Sequence, residues 1–146
     1  MVTEIDTQRI IAGFLDHTLP AEEWTHLAHL TVGLHMATQH DLDTSIRLLR
    51  DGISQYNMAT GTQNTDTGGY HETITVFFAH AMQAFNRQFG SDISFAEKVS
   101  KIGTSKLVTP GLMFSFYSKE LLFSVAARRG LVEPDLRPLS DLQTIF

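Results

Sequence analysis

The apolar positions of this chain recur mainly at the three- and four-residue spacing of an α-helix. Four apolar side chains between residues 10 and 15 predict a first helix over about residues 4–16. The clearest stripe runs from Leu42 to Tyr56 and predicts another helix, for which Asp41 or Asp43 is a suitable N-cap. These two segments have one apolar face each, as expected of helices packed against a core.

Two further segments predict helices of a more buried kind. Helix two is expected to begin near Pro20 and to end at about Ala37, with apolar residues on both of its sides. Helix four is expected to span Tyr70 to Gln88, and its phenylalanines should face the interior. Helix two is therefore predicted to be the central helix of the fold.

The remaining segments complete an all-α prediction. Ser94 to Glu97 is typical of the start of a short fifth helix, and a last helix is expected from Ser118 to Arg129. Residues 131–146 contain two prolines and are predicted to extend over the body, and no segment alternates as a strand does. Residues 1–146 thus predict one all-α domain, a bundle of five to six helices with an extended C-terminal tail.

Composition limits the partners of such a domain. The chain has 146 residues, 42% of them apolar, and a formal net charge of -5. A negative balance argues against nucleic acid, whose binding depends on neutralising phosphates. No apolar run approaches the ~20 residues that cross a bilayer, so no membrane partner is expected. The absence of cysteine excludes thiolate ligands and is compatible with a cytoplasmic protein.

The first segment that could carry chemistry is Glu22 to His29. On one continuous helix, Glu22, His26 and His29 would share a single strip of surface. A carboxylate with two imidazoles suits a divalent metal such as zinc or iron, and it equally suits an acid–base pair. The alternative interpretation is a buried helix whose histidines only make structural hydrogen bonds.

The second segment is the polar loop of residues 60–69 together with the first turn of helix four. Such a long loop is unusual in a bundle, and it is placed to close over a site and control access. The alternative is purely structural: Thr67 caps the helix, and the negative charge of Glu72 interacts favourably with the positive end of the helix dipole. The residues expected to contact a ligand or take part in catalysis are Asn64, Thr65, Tyr70, His71, Glu72 and Thr75.

Taken together, several short motifs resemble those of a group of small bacterial proteins of no established activity. The motifs are W-T-H-x-x-H-L from Trp24, N-T-x-T-x-G-Y-H-E-T from Asn64 and V-E-P-D-L from Val132. The resemblance implies no reaction, but it implies that His26, His29, His71 and Glu72 belong to one site. It also points to Tyr117 and Asp135 as neighbours of that site.

Two classes of function follow from these observations. The first is a metal-dependent or acid–base enzyme acting on a small polar molecule, with His26, His29, His71 and Glu22 as metal ligands. His26, Tyr70, His71 and Glu72 are predicted to be catalytic, and without a metal the histidines and glutamates of the site would shuttle a proton on the substrate. The second is a non-catalytic domain that binds a small ligand or another protein and uses its histidines for packing. The sequence does not decide between them, and it predicts neither a substrate nor an oligomeric state.

Overall fold

The structure is a computed structural model, and it describes residues 3–109 and 111–146. The described residues form seven α-helices and contain no β-strand, which confirms the all-α prediction. The helices are α1 (Glu4–Leu15), α2 (His26–Gln39), α3 (Leu42–Ala59), α4 (Glu72–Arg87), α5 (Phe95–Ile102), α6 (Lys119–Leu122) and α7 (Val125–Arg129). Within these ranges, no helix combines the length and the apolar character needed to cross a membrane.

Helices α2 and α4 lie at the centre of the fold. Leu30 and Leu34 of α2 pack with Phe77 of α4 in one apolar cluster, which also receives the C-terminal third of the chain. Val32 of α2 and Ala79 of α4 belong to a second cluster, formed with α1 and α3. All residues from 30 to 34 are buried, so α2 has no solvent-facing side along this stretch. The prediction of a central helix two is confirmed.

Helix α2 begins six residues later than the sequence pattern predicted. Residues 21–23 form a separate 3₁₀ turn, and the backbone of Trp24 has a ψ of 62°, which is not helical. Trp24 stacks on Phe14 with 4.8 Å between ring centroids, and Thr25 then caps α2 by accepting from the Ala28 amide. Glu22 is consequently not on the helix that carries His26 and His29.

Helix α4 also begins later than predicted, at Glu72 instead of Tyr70. The residue that caps it is His71, whose side chain accepts a hydrogen bond from the Ile74 amide. Thr67, the cap expected in the structural interpretation, lies four residues upstream in the loop. Helix α3 begins after Asp41 as predicted, because the Asp41 carboxylate accepts from the Thr44 amide.

The C-terminal third is less regular than a single helix and a tail. The predicted helix from Ser118 to Arg129 is divided at Phe123 and Ser124, and each half has its own serine cap. This division raises the number of helices above the predicted five to six. Residues 131–138 are irregular, and residues 139–144 form a 3₁₀ helix whose Leu142 is buried in the first cluster.

Candidate functional site

A cleft of about 340 Å³ lies between α2, α3 and α4, and we call it the central cleft. Most of its lining is apolar, and its polar lining residues are His26, His29 and Thr75. This volume is at the lower end of the range for small-molecule sites. The apolar walls include Leu30, Gly33, Leu49, Ile53, Phe78 and Met82.

His29 is the polar group of the cleft with the most defined orientation. Its Nδ1 lies 2.7 Å from the Thr25 carbonyl, which can only accept, so Nδ1 carries the hydrogen and Nε2 has a free lone pair in the neutral ring. Among the described residues, Nε2 has no hydrogen-bond partner. One face of the ring is covered by Trp24, with 3.8 Å between ring centroids.

The surroundings of His29 favour its neutral form. Burial lowers the pKa of His29 below its usual value of 6.5, and the nearby His26 lowers it further. The hydrogen bond to the Thr25 carbonyl acts on the pKa in the opposite direction. At neutral pH, His29 therefore presents an unprotonated nitrogen that can accept a hydrogen bond or a proton.

His26 stands one turn before His29 and is also tied to a backbone carbonyl. Its Nε2 donates to the Leu107 carbonyl at 3.2 Å, and its ring meets Phe78 edge to face. Nδ1 of His26 makes no hydrogen bond within the described ranges. The structure therefore places His26 and His29 on the same cleft, as predicted, each with one ring nitrogen left to interact with a ligand.

His71 has a different role from the one predicted. Its Nδ1 accepts from the Ile74 amide at 3.1 Å, so the hydrogen must be on Nε2, which donates to the Leu122 carbonyl at 2.8 Å. The ring is 7% exposed, and burial lowers its pKa below 6.5. Nδ1 thus caps α4 and Nε2 joins α4 to α6, so catalysis or metal binding by His71 would require one of these bonds to break.

Tyr70 and Glu72, the other two predicted catalytic residues, form a cluster with Arg50 of α3. Glu72 accepts from Arg50 at 2.9 and 2.6 Å and from the Tyr70 hydroxyl at 2.6 Å. The hydrogen bonds from Arg50 hold the pKa of Glu72 below its usual value, while burial and the bond to Glu72 raise the pKa of Tyr70. At neutral pH Glu72 is thus ionised and Tyr70 is protonated. The ion pair between Glu72 and Arg50 joins the start of α4 to α3.

A second cavity, of about 300 Å³, continues the central cleft toward the loop, and we call it the polar end. His29, Ile53, Ile74 and Thr75 line both cavities. Thr75 was predicted to contact a ligand, and its hydroxyl donates to the His71 carbonyl at 2.9 Å, which leaves its oxygen able to accept. The polar end is also lined by Trp24, Asn57, Thr62, Gly69, Tyr70 and His71.

The loop of residues 60–69 is bound to the body at several points. The Asn64 side chain accepts from the Asn57 side chain and the Tyr70 amide and donates to the Ser54 carbonyl. Asp66 forms a double hydrogen bond with Arg129. Asn64 and Thr65 line neither the central cleft nor the polar end, and only Thr62 and Gly69 of the loop reach them. These bonds favour a fixed wall for the polar end over the predicted gate.

Tyr117 and Asp135, the residues indicated by the motif resemblance, lie away from the cleft. Tyr117 is fully buried and donates to the Val132 carbonyl at 2.8 Å. Asp135 accepts from the Ser118 amide at 2.8 Å, at the start of α6. Their common role is to hold the C-terminal segment on the helices.

The predicted metal ligands are not assembled as one set. Glu22 lies in the exposed 3₁₀ turn before α2, and His71 uses both of its ring nitrogens elsewhere. Across residues 3–109 and 111–146, no group of three or more His, Asp or Glu side chains is arranged to hold a metal ion. His26 and His29 remain as a pair on the cleft wall.

The structural role of His71 predicts a dependence of stability on pH. An unfolded chain binds a proton at His71 with the usual pKa of 6.5, whereas the folded chain binds it less readily. The neutral His71 ring therefore makes its full contribution to the free energy of unfolding above pH 6.5, and this contribution is lost as the pH falls below that value. We expect the urea midpoint to fall between pH 7 and pH 5. In His71→Asn, whose side chain can still cap α4 but does not titrate, this fall should be smaller.

The comparison variant for that experiment is His40→Asn, because His40 is exposed and lies at the end of α2, not at the cap of α4. This variant should keep more of the pH dependence of the parent than His71→Asn does. If His71→Asn loses stability between pH 7 and pH 5 as steeply as the parent, protonation of His71 does not cause the pH dependence.

The apolar walls of the cleft were not found from the sequence. Gly33 of α2 lies beside Met82 of α4, where an added Cβ would be 3.1 Å from the methionine Cγ. A glycine inside a helix is a sequence signal for close helix packing, and it could have indicated this contact. Its partner 49 residues away could not be read from local spacing.

The chain matches no protein-family model, no curated protein and no solved structure. The fold and the cleft therefore carry the functional argument by themselves.

Proposed function

We propose that this chain binds a small, mainly apolar molecule that carries one hydroxyl group in the central cleft. The observation that carries the proposal is the apolar cavity of about 340 Å³ lined by His29, whose Nε2 has no hydrogen-bond partner among the described residues. Apolar walls with a few placed polar groups are the usual construction of a small-molecule site.

The polar atoms around the cleft favour a ligand that donates a hydrogen bond. Nε2 of neutral His29 can only accept, because Nδ1 carries the hydrogen. The hydroxyl hydrogens of Thr75 and Tyr70 are given to the His71 carbonyl and to Glu72. In the central cleft the side-chain atoms of His26, His29 and Thr75 that remain available are therefore acceptors, and an alcohol or phenol would pair with them.

The charges around the cleft disfavour an anionic ligand. In the described part of the chain, no lysine or arginine lines the central cleft or the polar end. A carboxylate or phosphate moved into this apolar space would lose its hydration without gaining a cationic partner. A neutral ligand avoids that cost.

The test is titration with cyclohexanol, monitored by the indole N–H resonance of Trp24. Trp24 is the only tryptophan of the chain, and it lines the polar end. We expect a saturable shift with cyclohexanol. Methoxycyclohexane, which has no donor, should bind about fivefold more weakly, the equivalent of about 1 kcal/mol for a hydrogen bond.

Two variants assign the binding to the cleft. His29→Phe keeps a ring beside Trp24 but removes the accepting nitrogen, and Thr75→Val removes the accepting oxygen; each should weaken cyclohexanol binding. His35→Ala is the matched control, because His35 lies on the same helix but lines a separate cavity with α1 and α3 residues. Unsaturable shifts, or equal binding by all three variants, would rule out the proposed site.

A second candidate function, an acid–base enzyme, is favoured by the orientation of His29. The Thr25 carbonyl fixes the tautomer, and the lowered pKa keeps Nε2 unprotonated, as a general base requires. Such an enzyme would use Nε2 of His29 to remove a proton from a carbon atom of the bound molecule. Recovery of ligand that is chemically unchanged after prolonged incubation, with no exchange of carbon-bound hydrogen for deuterium, would favour the binding function alone.

A further inference from the structure

A further apolar cavity adjoins the central cleft. It has a volume of about 420 Å³ and is formed mainly by residues 107–109, 111–114, 122 and 123, and we call it the distal groove. His26, Ile74 and Phe78 line both the distal groove and the central cleft. The two cavities therefore adjoin each other at these three side chains.

The mouth of the distal groove exposes aromatic surface. Phe114 is 36% exposed and Phe123 is 63% exposed, and their rings pack edge to face with 5.9 Å between centroids. Lys119 places its ammonium 5.3 Å from the centre of the Phe114 ring. Adjacent exposed apolar side chains of this kind often mark a binding surface.

The three cavities meet at Ile74. This half-buried side chain lines the polar end, the central cleft and the distal groove. The three cavities differ in polarity. Asn57, Thr62 and Tyr70 line the polar end, whereas the lining of the distal groove is mostly apolar.

On the basis of the proposed function, we infer that the ligand is an elongated amphiphile with a hydroxyl head and a hydrocarbon tail. The head lies between His29 and Thr75, and the tail passes Ile74 and Phe78 into the distal groove. A small compact alcohol would fill only the central cleft and leave the apolar surface of Phe114 and Phe123 in water. A longer chain covers that surface as well.

The test is a series of straight-chain alcohols, from 1-butanol through 1-hexanol and 1-octanol to 1-decanol, followed by the Trp24 indole resonance. If the tail enters the distal groove, affinity should rise about fourfold per added methylene, the equivalent of roughly 0.8 kcal/mol, along the whole series. An affinity that stops rising at 1-hexanol would overturn the inference.

Surface variants test the path of the tail without disturbing the core. Phe123→Ser removes an exposed side chain at the groove mouth and should weaken 1-decanol binding at least threefold while leaving 1-butanol unchanged. The matched control is Leu136→Ser, because Leu136 is also exposed and lines none of the three cavities. Equal 1-decanol affinity in both variants would exclude the groove as the place of the tail.

Two further outcomes would also overturn the inference. Tighter binding of decanoate than of 1-decanol would mean that the head is anionic, with Lys119 as its partner. A dimer in sedimentation that Phe123→Ser dissociates would mean that a second copy of the chain covers the groove.

Failure of 1-butanol to bind would contradict the proposed function itself, whereas binding of 1-butanol without any gain for 1-decanol would contradict only the elongated ligand.

Discussion

Replacing Phe77 by alanine is expected to remove about 3–5 kcal/mol from the free energy of unfolding. Phe77 is fully buried, and its ring packs edge to face on Phe78 at 5.1 Å and on Phe116 at 5.2 Å. It thereby joins α4 to the C-terminal third of the chain. Small domains have a total stability of about 5–15 kcal/mol, so the variant would lose a large part of it.

Urea denaturation followed by circular dichroism measures this loss, and Phe123→Ala is the matched control. Phe123 is 63% exposed, so its truncation should change stability by less than about 0.5 kcal/mol. The comparison holds residue type constant and varies only burial. A Phe77→Ala variant no less stable than Phe123→Ala would contradict the packing of Phe77 against Phe116 and the C-terminal third of the chain.

The sequence predicted those elements whose signals are local. Helix α3 has a regular apolar stripe and an aspartate at its N-cap, and the structure begins the helix after Asp41. The buried character of α2 was also readable, because apolar side chains occupy several sides of the same segment. In both cases spacing along the chain is enough to determine the element and its environment.

The first turns of α2 and α4 were misplaced because tertiary contacts decide them. Pro20 favours a helix start, but stacking of Trp24 on Phe14 coincides with non-helical backbone, and Thr25 caps the helix instead. Histidine is not a common N-cap residue, and its use at His71 depends on a carbonyl of Leu122, 51 residues away. Local propensity does not contain that information.

The candidate site was predicted in part. His26, His29 and Thr75 were recognised as unusual polar residues on helices, and the structure brings them to one cleft. Spacing could not reveal that Tyr70 and Glu72 would be occupied by Arg50, since this contact joins two helices. A tyrosine or glutamate that could take part in catalysis can thus serve only to hold two helices together. The partners of its side chain in the folded protein show which role it has.

The last prediction concerns Gly69, the residue at which the loop meets the polar end. Its φ is +76°, a backbone conformation that costs other residues about 1–2 kcal/mol. A Cβ at this position would also overlap the Gln63 carbonyl and would lie 2.7 Å from Oδ1 of Asn64. That oxygen accepts from the Tyr70 amide and the Asn57 side chain, so Gly69→Ala would disturb the bonds that fix the loop.

We expect Gly69→Ala to cost roughly 2–4 kcal/mol, because overpacking adds to the backbone strain. Gly61→Ala is the matched control: Gly61 has a φ of +90°, but nothing lies within 4 Å of its Cβ position, so only the backbone cost remains. Urea denaturation gives both values, and the excess for Gly69→Ala isolates the close approach of the loop. Equal stability of the two variants would show that the loop can move away from Gly69 without a loss of stability. That result would support the predicted role of the loop as a gate.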